Sequence, residues 1–329
     1  MSFMMQGFVI DLEAIRMAAK RIAGQVIRTP VVTAPLINDE YETQIFFKCE
    51  NLQHIGAFKA RGACNAVNCL TEAEAAAGVV THSSGNHAAA LARAAKLRGI
   101  AAHIVMPHNS ASVKVQAVRR YGVEPTFCEP TAQSRQATAD HVAETTGATF
   151  VHPYDNANVM AGQGSVVLEL LEQTSDLDAI VVPVGGGGLL AGTLVAAKSI
   201  NPHIKIFAAE PAWADDAFRS LQSGRIEQPL RYDSIADGLR TPLGTLTFPI
   251  INALVDQVLV VTEEAIEAAT RNLIMNAKLV VEPSGAVPLA AIALHSDLFR
   301  GLRVGVIVSG GNLDPQTLAR LTVSVELNV

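Results

Sequence analysis

From residue 70 onward, short apolar runs alternate with longer segments of helical character, and the loops between them are brief. LTEAEAAAG places Thr71 and Glu74 at capping-box spacing and ends on a glycine, GVVTHSS is a short apolar strand, and GNHAAALARAAKLRG is an Ala-rich helix stopped by Gly99. AAHIVMP, EPTFCEP and ATFVHP read as strands, with SASVKVQAVRRYG and TAQSRQATADHVAETTG as the helices between them. The second half repeats the style. AIVVPV is a strand, a Gly-rich loop leads to the helix LLAGTLVAAKSI, and KIFAAE and DQVLVV are strands. A helix then starts at Thr262 with Glu263 and Glu264 in its first turn, followed by the helix SGAVPLAAIALH and the strand RVGVIVS. Strands joined through helices by short loops build parallel sheets, so the chain is predicted to be α/β, with two such units side by side. Ligands of open α/β sheets bind beyond the C-terminal ends of the strands.

Composition agrees. Apolar residues make up 49% and aromatics only 5%, as suits buried parallel strands, and 329 residues is long for one core, which predicts two domains. A net charge of −6 leaves no basic footprint for nucleic acid or an anionic membrane, so a small-molecule partner is expected. Cys49, Cys64, Cys69 and Cys128 show no CxxC spacing and read as reduced thiols of a cytoplasmic protein, without disulfide or zinc. The start, MSFMMQGFVIDLEAIR, turns acidic too early for a signal peptide. The uncharged stretch 179–197 is long enough to span a bilayer, but Pro183 and four glycines interrupt it.

The strongest local motif is VVPVGGGGLLAGT. Gly185, Gly186, Gly187 and Gly188 free the backbone to aim N–H groups at an anion, and the helix that follows adds its positive end, so a phosphate fits here. A tight strand-to-helix turn alone needs only one or two glycines. THSSGNH sets Ser83, Ser84, Gly85, Asn86 and His87 at a strand end, where short donors could hold a carboxylate or a ring oxygen; the plainer reading is a serine capping the helix. VSGGN brings Ser309 out of another apolar strand, where it could equally cap the chain's exit. GAFKARGA carries one of only eight lysines, Lys59, with no carboxylate nearby in the sequence and with small neighbours that read as clearance for a flat ring. An isolated amine, a phosphate loop and polar strand ends are what a Schiff base with a phosphate-bearing aldehyde needs, which points to pyridoxal 5′-phosphate.

GAFKARGA, HSSGNHAAAL, AGQG, VPVGGGGLLAG, AAEPAWADD, IADGLRTPLG, VEPSG and VSGGN, in that order, resemble the fold type II pyridoxal-phosphate enzymes, and within them the serine racemase and serine/threonine dehydratase family, over essentially the whole chain. The resemblance implies two open three-layer α/β domains with mainly parallel sheets, tryptophan synthase β-like, and the cofactor in the cleft between them. The large domain would comprise 1–68 and 155–329, and a small mobile domain 69–154. It implies that Lys59 forms the internal imine, Phe58 packs on the ring, Asn86 bonds the ring 3-oxygen, Gly185 to Gly188 hold the phosphate and Ser309 faces the pyridine nitrogen. Ser83, Asn86 and His87 would bind the substrate carboxylate. Ser84 would be the acid/base on the opposite face, and Arg135 would meet a second carboxylate. Glu210, the Ala214 carbonyl and Asp216 would bind a divalent cation, Mg²⁺ or else Ca²⁺ or Mn²⁺; residues alone make Asp215 and Asp216 a solvated helix start.

The implied activity is dehydration of serine or threonine to a 2-oxo acid and ammonia, with serine racemisation as companion and 3-hydroxyaspartate ammonia-lyase as rival. A β-replacement enzyme resembling cysteine synthases, and a non-catalytic phosphate- or amino-acid-binding protein, also stay open at this point. Tyr154 in HPYDN, where some racemases carry asparagine, moves weight toward elimination. The chain runs only briefly past VSGGNLD, so no C-terminal regulatory domain is expected. The family expectation for assembly is a homodimer.

Overall fold

The computed structural model describes residues 7–323. Residues 1–6, where the signal-peptide reading begins, and 324–329, the end of the expected large domain, lie outside the described residues. Among the described residues ten strands form two sheets: β1 (Val31–Val32), β2 (Gln44–Cys49), β3 (Val79–His82), β4 (Ala102–Pro107), β5 (Thr126–Cys128), β6 (Thr149–Phe150), β7 (Ala179–Pro183), β8 (Lys205–Pro211), β9 (Gln257–Val261) and β10 (Arg303–Val308). The larger sheet has the order β1-β2-β10-β7-β8-β9 and is parallel except where β1 runs against β2; the smaller has the order β5-β4-β3-β6 and is parallel throughout.

Side chains of successive strand residues point to opposite faces, and each sheet is covered on both. In β7, Ile180 and Val182 join a core built with the helices Ala157–Gln173 and Gly188–Ile200, whereas Ala179 and Val181 join one built with Glu263–Met275 and Pro283–Leu294. The smaller sheet divides likewise, with Val79 and Ile104 under the helix Asn86–Arg98, and Val80 and Val105 under the helix Ala132–Thr146. Double coverage explains why these strands read as unbroken apolar runs.

Local signals act as their residues dictate. Thr71 and Glu74 form the reciprocal capping box, Gly99 ends its helix in the left-handed region at φ 73°, and Thr262 accepts from the Ala265 N–H. EPTFCEP and ATFVHP contribute only three and two strand residues, because both lie at sheet edges and are bounded by Pro125, Pro130 and Pro153, which cannot donate to a ladder. The stretch 179–197 resolves into β7, the glycine loop and a helix, and no helix among the described residues is long and apolar enough to cross a membrane. The four cysteines are free.

GAFKARGA differs from its reading. Lys59 opens the helix Lys59–Asn68, and the small neighbours serve helix packing rather than a flat ring: Ala57, Ala60 and Ala63 are in the core. A Cβ on Gly162 would sit 2.7 Å from the Cα of Gly62, so the helices Lys59–Asn68 and Ala157–Gln173 touch backbone to backbone. Arg61 lies at that contact, fully buried. It grips Glu50 (2.7 and 2.8 Å) and Glu169 (2.7 and 2.8 Å), while buried Lys48 adds a bond to Glu169 at 2.6 Å. Removing one member leaves unpaired charge in the core, so Arg61→Leu is expected to cost about 3–5 kcal/mol in denaturant unfolding. A loss under about 1 kcal/mol would show that the cluster does not hold the helix pair.

Candidate active site

Lys59 Nζ donates to the Pro153 carbonyl at 2.8 Å and lies 5.1 Å from the Phe58 ring centroid. Withdrawal from water lowers its pKa from the ordinary lysine value to about 8, and it forms no ion pair among the described residues. The next turn fixes the other walls. Tyr154 packs its ring on Gly186 and its backbone on Gly188, and the Asp155 carboxylate accepts from the N–H groups of Thr245 (3.0 Å) and Leu246 (2.8 Å).

In the glycine loop, Gly187 has φ +88° and is the N-cap of the helix Gly188–Ile200, with no side chain capping that helix. The four glycines do not exceed what the turn needs. A Cβ on Gly185 would lie 2.9 Å from Leu239 Cα, one on Gly187 would lie 2.6 Å from Ile251, and Tyr154 excludes one from Gly186 and crowds Gly188. Close approach by the protein itself accounts for every glycine, while the uncapped N-terminal N–H groups still suit an anion.

Neither serine of THSSGNH caps the helix Asn86–Arg98. Gly85 is the N-cap, no side chain bonds the first turn, and Ser83 Oγ accepts only from the Gly85 N–H at 3.2 Å. Ser84 is half-buried at the same strand end. Asn86 reaches across to the larger body, donating to Glu282 Oε1 (2.8 Å) and accepting from Asn312 Nδ2 (2.7 Å). Burial raises the Glu282 carboxyl to about 7. Ser309 is buried at the end of β10, and its carbonyl accepts from the Phe58 N–H at 3.0 Å, which places it beside Lys59 rather than at the chain's exit.

His87 is turned inward. Its Nε2 lies 3.2 Å from the Val151 carbonyl, which can only accept, so Nε2 carries the proton; Nδ1 is a buried acceptor without a partner. Burial lowers its pKa to about 3, so the ring stays neutral and cannot donate to a carboxylate through Nδ1. What His87 offers an anion is its backbone N–H in the open first turn. Arg135 is not on a solvated face: its Nε is buried without a partner, and its charge acts on His82 and Tyr154.

At the end of β8, Glu210 accepts from the Ala217 and Phe218 N–H groups (3.1 and 2.6 Å), and Asp216 is 1% exposed, which replaces the solvated helix start. Arg219 pairs with Asp215, leaving Asp216 Oδ2 buried and without a partner. Two adjacent buried carboxylates fit a hard cation. Among the described residues no group of three or more His, Cys, Asp or Glu could hold a metal, so this set rests on two carboxylates and the Ala214 carbonyl.

Sequence reasoning missed Glu282, His152 and the Pro153 carbonyl as parts of the site. Glu282 has a signal, a lone carboxylate in the apolar run LVVEPSGAV, because such a group is rarely buried without purpose. A backbone carbonyl has none. In the cofactor-free protein, labelling of Lys59 by an amine-selective reagent is expected to rise with pH through about 8. Peptide mass spectrometry across that range checks this, and a midpoint above about pH 10 would contradict the desolvated setting.

A family profile described as pyridoxal-phosphate dependent enzyme matches residues 22–310. The serine racemase of Dictyostelium discoideum is 46% identical over 316 residues, covering 95% of this chain and 98% of that protein. The beta-hydroxyaspartate dehydratase of Paracoccus denitrificans is 45% identical over 307 residues, covering 93% and 98%. The solved structure of maize serine racemase superposes with a TM-score of 0.92 at 46% identity, covering 95% of this chain and 97% of that one.

Proposed function

Because this chain belongs to the pyridoxal-phosphate-dependent enzymes, we propose that it dehydrates small β-hydroxy amino acids, serine and threonine first, to a 2-oxo acid and ammonia, and also racemises serine. The observation that carries this reading is the Lys59 amine, with its pKa lowered to about 8 and held by a carbonyl instead of a carboxylate. The non-catalytic binding protein loses its ground with family membership, and the similarity to a serine racemase and a hydroxyaspartate dehydratase favours elimination over β-replacement.

Bound in the cleft between the two sheets, pyridoxal phosphate supplies an aldehyde for the substrate amine and an electron-poor ring that accepts charge from the α-carbon. The glycine-loop N–H groups would hold its phosphate, Phe58 would lie against the ring, and Asn86 would offer a second amide N–H to the ring oxygen. A neutral Ser309 hydroxyl at the ring nitrogen tempers the charge drawn in, which suits loss of a β-hydroxyl. The open first turn of the helix Asn86–Arg98, with Ser83, orients the substrate carboxylate. Lys59 would take the α-proton and return it to the departing β-hydroxyl, so that water leaves and the enamine released hydrolyses to the 2-oxo acid and ammonia. Ser84 would return a proton to the other face and so invert the α-carbon.

Arg135 favours a second substrate. Its Nε has no partner and its charge acts on Tyr154 and His82, so it would recognise a distal carboxylate, which makes 3-hydroxyaspartate the rival. A divalent cation at Glu210, Ala214 and Asp216, a homodimer, a mobile unit over 69–154 and a cytoplasmic setting complete the proposal.

Assays of pyruvate from serine, 2-oxobutyrate from threonine and oxaloacetate from 3-hydroxyaspartate rank the substrates; turnover of none of them would overturn the proposal. Ser84→Ala is expected to cut D-serine formation by about 100-fold while keeping elimination. Undiminished D-serine would remove Ser84 from its role.

A further inference from the structure

The turn that follows β6 touches three parts of the site at once: Pro153 holds the Lys59 amine, Tyr154 lies on the glycine loop, and Asp155 caps the segment at Thr245 and Leu246. Proline has no N–H, so the turn's own donors are those of Tyr154 and Asp155. Both point at one atom: His152 Nδ1 accepts from the Asp155 N–H at 2.9 Å and, more weakly, from the Tyr154 N–H at 3.4 Å. We propose that His152 is a positioning residue, whose Nδ1 shapes the 152–155 turn so that the Pro153 carbonyl holds the free Lys59 amine in one place.

A histidine accepts at Nδ1 only when that nitrogen carries no proton. Burial lowers the His152 pKa to about 4, and the ring lies edge-on against Tyr154 with centroids 4.5 Å apart, so it is both neutral and fixed in orientation. A lysine side chain otherwise spreads over many rotamers. A neutral amine that donates one N–H to Pro153 has a set direction for its lone pair, the electron pair that must meet an aldehyde carbon or an α-proton. The function of His152 is therefore exerted through the backbone.

This inference rests on Lys59 being the lysine that meets the cofactor, and the experiment separates the two ideas. The full-length protein is stripped of pyridoxal phosphate. The Kd for its re-binding, the labelling rate of Lys59 in the cofactor-free protein and the thermal midpoint are then measured for the parent and three variants. His152→Asn keeps an acceptor oxygen near the Nδ1 position; His152→Leu removes it, and His152→Gln moves the amide out toward Nε2. Loss of one hydrogen-bonding anchor predicts cofactor binding about tenfold weaker and altered Lys59 labelling for Leu and Gln, and values within about twofold of the parent for Asn. Failure of Asn alongside the other two, or parent-like behaviour of all three, would overturn the role of His152. Should His152→Leu not fold, Gln against Asn makes the same distinction. Lys59→Ala is the control: if it binds the cofactor as the parent does, the reading of Lys59 fails, whatever the His152 series shows.

Discussion

Arg61 is where four separate stretches of chain are tied together. Its guanidinium meets Glu50 after β2, Glu169 in the helix Ala157–Gln173 and the Ile27 carbonyl in the N-terminal segment, and Lys48 extends the network to Thr29 and Gln173. Arg61, Lys48, Glu50 and Glu169 give two charges of each sign, so the cluster is neutral as a whole and its members are bonded on several sides. Such a cluster gives less stability than its bond count suggests, because each ion gave up water. What it enforces is register. The fork of Arg61 accepts its two carboxylates in one arrangement, and that arrangement fixes the rotation of the Lys59–Asn68 helix about its axis. The direction in which Lys59 leaves the first turn follows from it.

The helix Lys59–Asn68 shares an apolar core with the smaller sheet, and directed polar contacts join the two sheets beside it. Asn86, at the start of a helix packed on the smaller sheet, is held between Glu282 and Asn312 of the larger body. Lys114 pairs with Asp237 across the same divide, and the 152–155 turn carries the chain from one unit to the other while Asp155 fastens it at Thr245 and Leu246. These contacts are polar and partly exposed, unlike the apolar cores on the faces of each sheet. Asn86, Lys114 and Asp155 tie the two units together through side-chain hydrogen bonds and an ion pair.

What was legible in the sequence follows from how local each signal is. The capping box at Thr71, the glycine stop at Gly99 and the doubly buried β7 are written within a few residues, and the alternation from residue 70 onward matches the structure closely. The Lys59–Asn68 helix was not legible, because its identity lies in backbone contact with Gly162, a hundred residues away. The same distance hides why the residues around Lys59 are small. The glycine loop stands out in the sequence, but why it needs four glycines does not: all four are demanded by Leu239, Tyr154 and Ile251, residues that no local pattern ties to the loop. The motif groups His87 with Ser83 and Asn86, yet only the tertiary partner Val151 shows that its side chain faces inward.

Lys59 and Arg61 make the remaining point together. Two residues apart at the start of one helix, they meet opposite environments: Arg61 is saturated by four carboxylate oxygens, whereas Lys59 finds one carbonyl. An arginine keeps its charge in any protein setting, so it can be buried only where that charge is answered. A lysine can shed its proton, and a setting with little water and no counter-charge encourages it to do so. Interchange of the two would leave the core carboxylates with an ammonium that cannot fork across both, and the first turn of the helix with a cation that cannot shed its proton. The helix that begins at Lys59 therefore separates two kinds of positive charge, one that holds the fold and one that the fold keeps ready to be lost.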